Sequence, residues 1–322
     1  MTLPWSELKS TLERNKLGDT KLHSTGNSAS ITTERSAWRN AFVLLRIPFS
    51  MYLMPVFWFA LSNTEEFDMI TAFLVFVVLH VFMFPASYGF NAIYDRDEKS
   101  VGGLETPPPV GSELFQLVMF FDIAAIILGL IVSGQFALMV LTYTIVSKAF
   151  SFDKTRLKKF PLLSTLVVAA FQGAFVYFMV LVALKQNIDN LQFAYGMVAM
   201  LLIAAMFPLL QVYQHDQDHA RGDVTLSLWL GKRGTFVFSA VLKTIGLALL
   251  FVLYANHKDA FMSITSMLCI LPMLYFFAKW MYLSFKDEEH IHFKNSMKMN
   301  GLWTISLSLA FLIQIIYNHY WM

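Results

Sequence analysis

Two short stretches hold most of the oxygen-bearing side chains able to do chemistry. Phe90–Glu98 reads FNAIYDRDE and Tyr213–Asp223 reads YQHDQDHARGD, and each follows directly on a long apolar run. Asn91 and Asp95 stand four residues apart, as do Gln214 and Asp218. On a helix that spacing puts both side chains on one face, roughly 5–6 Å apart. Two such helix ends facing each other present amide and carboxylate oxygens to a shared space. Mg²⁺ takes such a setting when one or two carboxylates hold it together with substrate phosphates. Asn91, Asp95, Asp97, Gln214, Asp216 and Asp218 are the candidate ligands. His215 and His219, with Asp216 and Asp218, make a rival set for a transition metal, but no third group of ligands accompanies them. One acidic cluster at a membrane-helix end is often only a solvated loop; two with matched spacing are harder to read that way.

The elements that must position these residues are membrane helices. The chain of 322 residues is 57% hydrophobic and 14% charged, where a soluble domain has about 45–50% apolar and about 25% charged residues. A net charge of +2 gives no footing for a nucleic-acid partner, and a single cysteine, Cys269, leaves no disulfide within the chain. A helix needs roughly 20 apolar residues to cross the hydrocarbon core. Nine segments meet or approach that: Trp38–Leu61, Met69–Phe90, Leu114–Val132, Phe136–Val146, Leu162–Leu184, Phe193–Tyr213, Thr235–Tyr254, Phe261–Phe285 and Gly301–Tyr320. The fourth is short, and extending it to Phe150 gives 15 residues, which suits a helix buried among neighbours. Residues 1–36 read as a polar, partly disordered cytosolic leader with a short helix near Leu8–Lys16, and residues 37–322 as the membrane domain.

Lys and Arg set the orientation. With the N-terminus in the cytoplasm, nineteen of them fall on the cytoplasmic side, and only Lys185 and Lys258 fall on the other; Arg46, Lys243 and Lys279 lie within spans. The expected topology is N-terminus in and C-terminus out, with both acidic clusters on the cytoplasmic face. The clusters end spans 2 and 6, which lie at equivalent places in two four-helix halves.

Fixed positive charges fit an anionic ligand at the same face. Arg46 stands within span 1, where a charge is costly and usually faces a polar cavity. Lys148, Arg156 and Lys158 come from SKAFSFDKTRLKKFP after span 4. Asp122, also intramembrane, is left to pair with Lys243 or Arg46.

With these motifs in place, the chain resembles the UbiA superfamily of intramembrane prenyltransferases over roughly residues 38–320. Asn91 and Asp95 match the first family motif, N-D-x-x-D-x-x-x-D. Asp218 and Gly222-Asp223-Val-Thr225, leading to Leu230-Gly231, match the second. The chain departs from the pattern at Ala92, Lys99 and Gln214, where Asp97 or Glu98, and Asp216, stand as replacements. The resemblance implies an all-α fold of nine transmembrane helices around a central cavity opening to the cytoplasm. It also implies Mg²⁺-dependent transfer of a prenyl group from an isoprenyl diphosphate to a lipophilic or aromatic acceptor in the bilayer. Asp95, Asp218 and Asn91 would then be the catalytic, metal-holding residues, and Lys148, Arg156, Arg46 and Lys158 the diphosphate's partners. Phe84, Tyr88, Phe90, Tyr143, Phe171, Phe175 and Tyr177 are candidate walls for an allylic cation, which needs a dry pocket with π-faces. The alternatives are a membrane terpene cyclase of the same fold, a transporter or metal-ion channel, and a non-catalytic diphosphate-binding protein. The loops Lys99–Ser112 and Asp223–Gly234 are expected to cap the diphosphate.

Overall fold

The computed structural model describes residues 26–258 and 260–321, and the side chains of residues 35–258 and 262–319. The expected helix near Leu8–Lys16 lies outside the described residues, as does most of the leader. The chain divides into two compact units, Met1–Arg39 and Asn40–Met322. Among the described residues there is no strand, only an isolated bridge between Val101 and Leu104.

Among the described residues, eight helices are long and apolar enough to cross a membrane: α1 (Arg35–Ser62), α2 (Met69–Asp95), α3 (Glu113–Val132), α5 (Pro161–Ala183), α6 (Asn190–Leu210), α8 (Leu226–His257), α9 (Met262–Lys286) and α10 (Phe293–His319). The fourth expected span is the helix α4 (Gly134–Ser151), 18 residues long and about 27 Å from end to end. It packs between α2, α3 and α5. Between α6 and α8 lies a seven-residue helix, α7 (His215–Arg221). The protein is an integral, multi-pass, all-α membrane protein.

Local chemistry starts these helices where the apolar runs begin. Asp68, Ser133, Asp189 and Thr225 each accept a hydrogen bond from the backbone N–H three residues on, which satisfies a donor the helix itself cannot. Pro161 opens α5, where its missing N–H costs nothing. Neighbours in sequence pack as neighbours in space (α2 with α3, α3 with α4, α5 with α6, α9 with α10), α6 also packs on α8, and α1 packs on α10 to close the bundle.

Three irregularities shape the interior. The first helix breaks at Arg46, whose backbone takes the left-handed conformation (φ 49°) just before Pro48. Two helices contain a π-helical turn, Val78–Met83 in α2 and Ala169–Phe175 in α5, a device that re-aims side chains at functional sites. In α8 the chain kinks at Gly231 (φ 70°), a backbone angle that favours glycine. The π-helical turn in α5 also brings two backbones together: a Cβ on Gly173 would stand 2.7 Å from Met200 Cα in α6.

Candidate functional site

A cavity of about 250 Å³ lies within the bundle, lined both by acids and bases and by aromatic and aliphatic side chains. Asn91, Asp95 and Asp97 reach it from the end of α2, and Gln214 and Asp218 from α7 and the residue before it. The two motifs, more than a hundred residues apart in sequence, share one chamber. Arg46 and Lys158 line it too, from the break in α1 and from the α4–α5 loop.

The local fold explains how the acids meet. Arg96 ends α2 in the left-handed conformation (φ 47°), so the chain turns away directly after Asp95 and brings Asp97 into the lining. The short helix α7 ends likewise at Gly222 (φ 70°), and the chain reverses so that Asp223 N–H bonds to Asp218 O at 2.9 Å. A five-residue separation would not put Asp218 and Asp223 on one helical face; the glycine turn does it. Arg156 (φ 28°) makes a third left-handed arginine beside the cavity, and such strain in non-glycine residues concentrates at functional sites.

The carboxylates are met by cations. Arg156 holds Asp223 with two hydrogen bonds, Nε to Oδ1 at 3.0 Å and Nη2 to Oδ2 at 2.8 Å, and also pairs with Asp153 at 2.9 Å. Lys158 pairs with Asp95 through a short contact, with Arg156 Nη2 3.9 Å from the same oxygen. Arg221 pairs closely with Asp97, donates to Asp218 Oδ1 at 3.0 Å, and lies 3.9 Å from Asp223. Thr225 donates to the other oxygen of Asp218 at 3.2 Å. Asn91 accepts from Ser151 at 2.8 Å, and Gln214 donates to Ser100 O at 3.2 Å, which ties the loop after α2 to the second motif. Among the described residues lining the cavity, Arg46 is the cation with no carboxylate in ion-pair reach. It donates to the carbonyls of Tyr88 and Gly102, each at 3.3 Å, and lies over the Tyr88 ring at 5.0 Å.

Burial and charge move these groups apart. Asp218 is pushed above the usual carboxylate range by burial, which outweighs the help of Arg221 and Thr225. Burial acts on Asp223 in the same sense. There the hydrogen bonds from Arg156, with the charges of Lys158, Arg156 and Arg221, win and hold it below the usual range. Lys158 is held down to about 8, mainly because burial strips its water.

Several residues singled out in the sequence take other places. Asp216 is exposed and does not line the cavity. Arg156 acts through Asp223 from behind the wall. Lys148 turns to Asp122 at 2.5 Å and lies 4.9 Å from the Phe90 ring centre, so Asp122 pairs with neither Lys243 nor Arg46. The Lys243 Nζ is buried against Phe277 and Trp303 instead. The ring of His215 meets Ser227 at 2.8 Å and His219 is exposed, so the two histidines are not gathered with the acids. Of the expected aromatic walls, Tyr88, Tyr143 and Phe171 line the cavity, while Phe84 and Tyr177 are fully buried in the core and Phe90 and Phe175 lie outside the lining. Phe49, Tyr52, Phe150, Phe207 and Trp303 line it unannounced, as do Arg221 and Asn300, whose amide nitrogen is buried without a protein partner, while Asp223, part of the second motif, lines it beside Asp218. The signal for Arg221 was present in the run DHARGD, where Gly222 marks a reversal.

The donor set fits Mg²⁺ in one form only. Asn91, Asp95, Asp97, Asp218 and Asp223 supply hard oxygens to one chamber. Yet among the described residues no three His, Cys, Asp or Glu side chains are gathered closely enough to hold a metal ion unaided. That matches an ion held by one or two carboxylates and completed by ligand phosphates.

Solved structures share this fold. A UbiA homolog from Archaeoglobus fulgidus bound to GPP and Mg2+ superposes with a TM-score of 0.65 at 16% identity, over 86% of this chain and 99% of that one. The apo structure of a UbiA homolog from Aeropyrum pernix K1 gives 0.65 at 15% identity, over 85% and 98%. A digeranylgeranylglyceryl phosphate synthase gives 0.58 at 16% identity, over 87% and 99%. No curated protein matches in sequence. Residues 52–302 match the model of the UbiA prenyltransferase family, a stretch that contains both acidic segments and all but three of the cavity-lining side chains named above, Arg46, Phe49 and Trp303. The chain belongs to the UbiA prenyltransferase family.

Proposed function

We propose that the protein transfers a prenyl group from an allylic isoprenyl diphosphate to a lipophilic or aromatic acceptor within the membrane, with Mg²⁺ as cofactor. One observation carries this reading: a single cavity is lined by carboxylates and cations together with aromatic side chains, the chemistry that suits a substrate with a charged head and an apolar tail. The solved relatives bound to GPP or DMAPP and Mg2+ support it.

Asp95, Asp218 and Asn91 would hold the metal with the diphosphate, with Asp97 and Gln214 beside them. Mg²⁺ bound there would draw charge from the diphosphate and make it a better leaving group. Arg46, free of any carboxylate, takes up negative charge growing on the departing diphosphate, and Lys158, released from Asp95, does the same. Tyr88, Tyr143 and Phe171 turn π-faces toward the allylic carbon and keep water away from it. The acceptor attacks that carbon, the C–O bond to diphosphate breaks, and the acceptor's proton leaves to solvent or to diphosphate. The excess of Lys and Arg in one set of loops supports a cytoplasmic N-terminus, nine crossings counting α4, and a cavity opening to the cytoplasm.

The test is diphosphate release from geranyl, farnesyl and geranylgeranyl diphosphate by the full chain in nanodiscs, with and without Mg²⁺. Release that needs Mg²⁺ and is abolished by Asp95→Asn and by Asp218→Asn supports the reading. No release with any of the three, across a panel of phenolic and lipid-alcohol acceptors, overturns it.

A further inference from the structure

Four carboxylates facing one chamber could bridge two divalent ions, as paired acidic sites commonly do. Here the place between three of them is already filled. The Arg221 guanidinium pairs with Asp97, donates to Asp218 at 3.0 Å and stands 3.9 Å from Asp223. It thus ties the first acidic segment to the second. We propose that Arg221 is a built-in cation occupying the position of a second metal, so that the site takes one Mg²⁺ per diphosphate.

The contrast with Lys158 supports this. Lys158 meets Asp95 through one amine on a flexible stem and comes from a separate loop. A lysine can swing from carboxylate to phosphate as a metal arrives, because an ammonium is a point charge that needs no fixed geometry. Arg221 cannot leave so readily. It sits three residues from Asp218 on the same short helix and engages its carboxylates through separate nitrogens, and a planar guanidinium loses matched hydrogen bonds when displaced. An ion entering the chamber therefore displaces Lys158 at Asp95, beside Asn91. Arg221 keeps its hold on Asp97 and on Oδ1 of Asp218, so the one ion is met by Asp95, Asn91 and the other oxygen of Asp218. Asp223 is further committed to Arg156 through two hydrogen bonds, which removes a fourth ligand from any second ion.

This inference rests on the proposed prenyl-diphosphate chemistry, and the experiment separates the two. Mn²⁺ serves as a paramagnetic probe, titrated into the full chain in nanodiscs with the thiolo analogue of geranyl diphosphate, which resists ionisation. Bound Mn²⁺ is counted by equilibrium dialysis, and electron paramagnetic resonance reports whether the ions are isolated or spin-coupled. The expected result is one isolated Mn²⁺ per chain, rising to two coupled ions in Arg221→Gln and staying at one in Arg221→Lys. Two coupled ions in the unaltered protein would overturn the inference and leave the proposed reaction standing. A count of one in a folded Arg221→Gln, checked by its thermal transition, would overturn the role of Arg221. No Mn²⁺ bound, with or without the analogue, would overturn the reaction and the inference together. If Arg221→Gln does not fold, the count in the unaltered protein and in Arg221→Lys still decides between one ion and two.

Discussion

Arg156 and Asp223 meet face to face, guanidinium edge against carboxylate, with hydrogen bonds of 3.0 and 2.8 Å between groups that are mostly out of solvent. The pair ties the α4–α5 loop to the turn after α7 and so fixes Lys158, two residues on, over Asp95.

Breaking that pair leaves the guanidinium with the exposed Asp153 as its close partner, and losing hydrogen bonds to a charged group typically costs about 1.5–3 kcal/mol. Asp223→Asn is expected to lower the thermal transition of the purified protein and to reduce diphosphate release even where the fold survives. Arg156→Lys keeps the charge but loses the two-pronged contact, and should fall between the unaltered protein and Asp223→Asn. Equal transitions for all three proteins would show that the pair holds nothing together.

The pH dependence of the site is set by Lys158. Its ammonium loses its proton near pH 8 rather than at the higher pH of an exposed lysine, because burial disfavours the charged form. Below that pH it is charged and attracts diphosphate, and above it the attraction is lost. kcat/KM for the diphosphate should therefore fall as pH rises through about 8. Lys158→Arg, charged at every accessible pH, should move the falling limb upward. A profile flat to pH 9.5 in the unaltered protein would contradict this.

Asp216 and Asp218 give a paired test, since they are two residues apart and differ in exposure. Asp218→Asn should cost about 3 kcal/mol of barrier or more, on the order of 100-fold in rate. Asp216→Asn should stay within about threefold, as expected for exposed substitutions that touch no such feature. Rates of diphosphate release under saturating Mg²⁺ distinguish them, and equal losses would count against this reading of the cavity.

The Lys148–Asp122 pair is expected to serve stability rather than diphosphate binding. Lys148→Met alone leaves an unpaired intramembrane carboxylate and should lower the thermal transition, and Lys148→Met with Asp122→Leu should recover part of that loss. The KM for diphosphate should stay within about twofold in the double variant, since neither residue lines the cavity. A KM that rises tenfold would return Lys148 to the diphosphate.

Close packing of α5 on α6 depends on Gly173. A Cβ there meets backbone, at 2.7 Å from Met200 Cα and 2.8 Å from Ala199 O, and backbone cannot yield as a side-chain tip does. Gly173→Ala should destabilise by about 1–3 kcal/mol, and Gly173→Leu should prevent folding. Unchanged melting of Gly173→Ala would show that the helices separate freely.

Much of this protein was legible in its sequence, for physical reasons. Apolar runs of membrane length must be helices, because hydrocarbon leaves no other partner for backbone N–H and C=O groups, and the eight longest are there. Amide and carboxylate four residues apart on one helix end share a face, so Asn91 with Asp95, and Gln214 beside Asp218, reach one chamber. The tertiary structure decided what local spacing cannot encode. The left-handed turns at Arg96 and Gly222 bring Asp97 and Asp223 into the lining, while Asp216, two residues from Asp218 on α7, falls on the exposed side of that helix. Packing of α3 on α4 gave Asp122 to Lys148, because an intramembrane charge takes whichever counter-charge the bundle sets beside it. Aromatics such as Trp303 and Tyr52 reach the cavity while Phe84 and Tyr177 fill the core, since in a helix rich in such residues composition is the same on every face. Only the neighbouring helix decides which face meets the cavity.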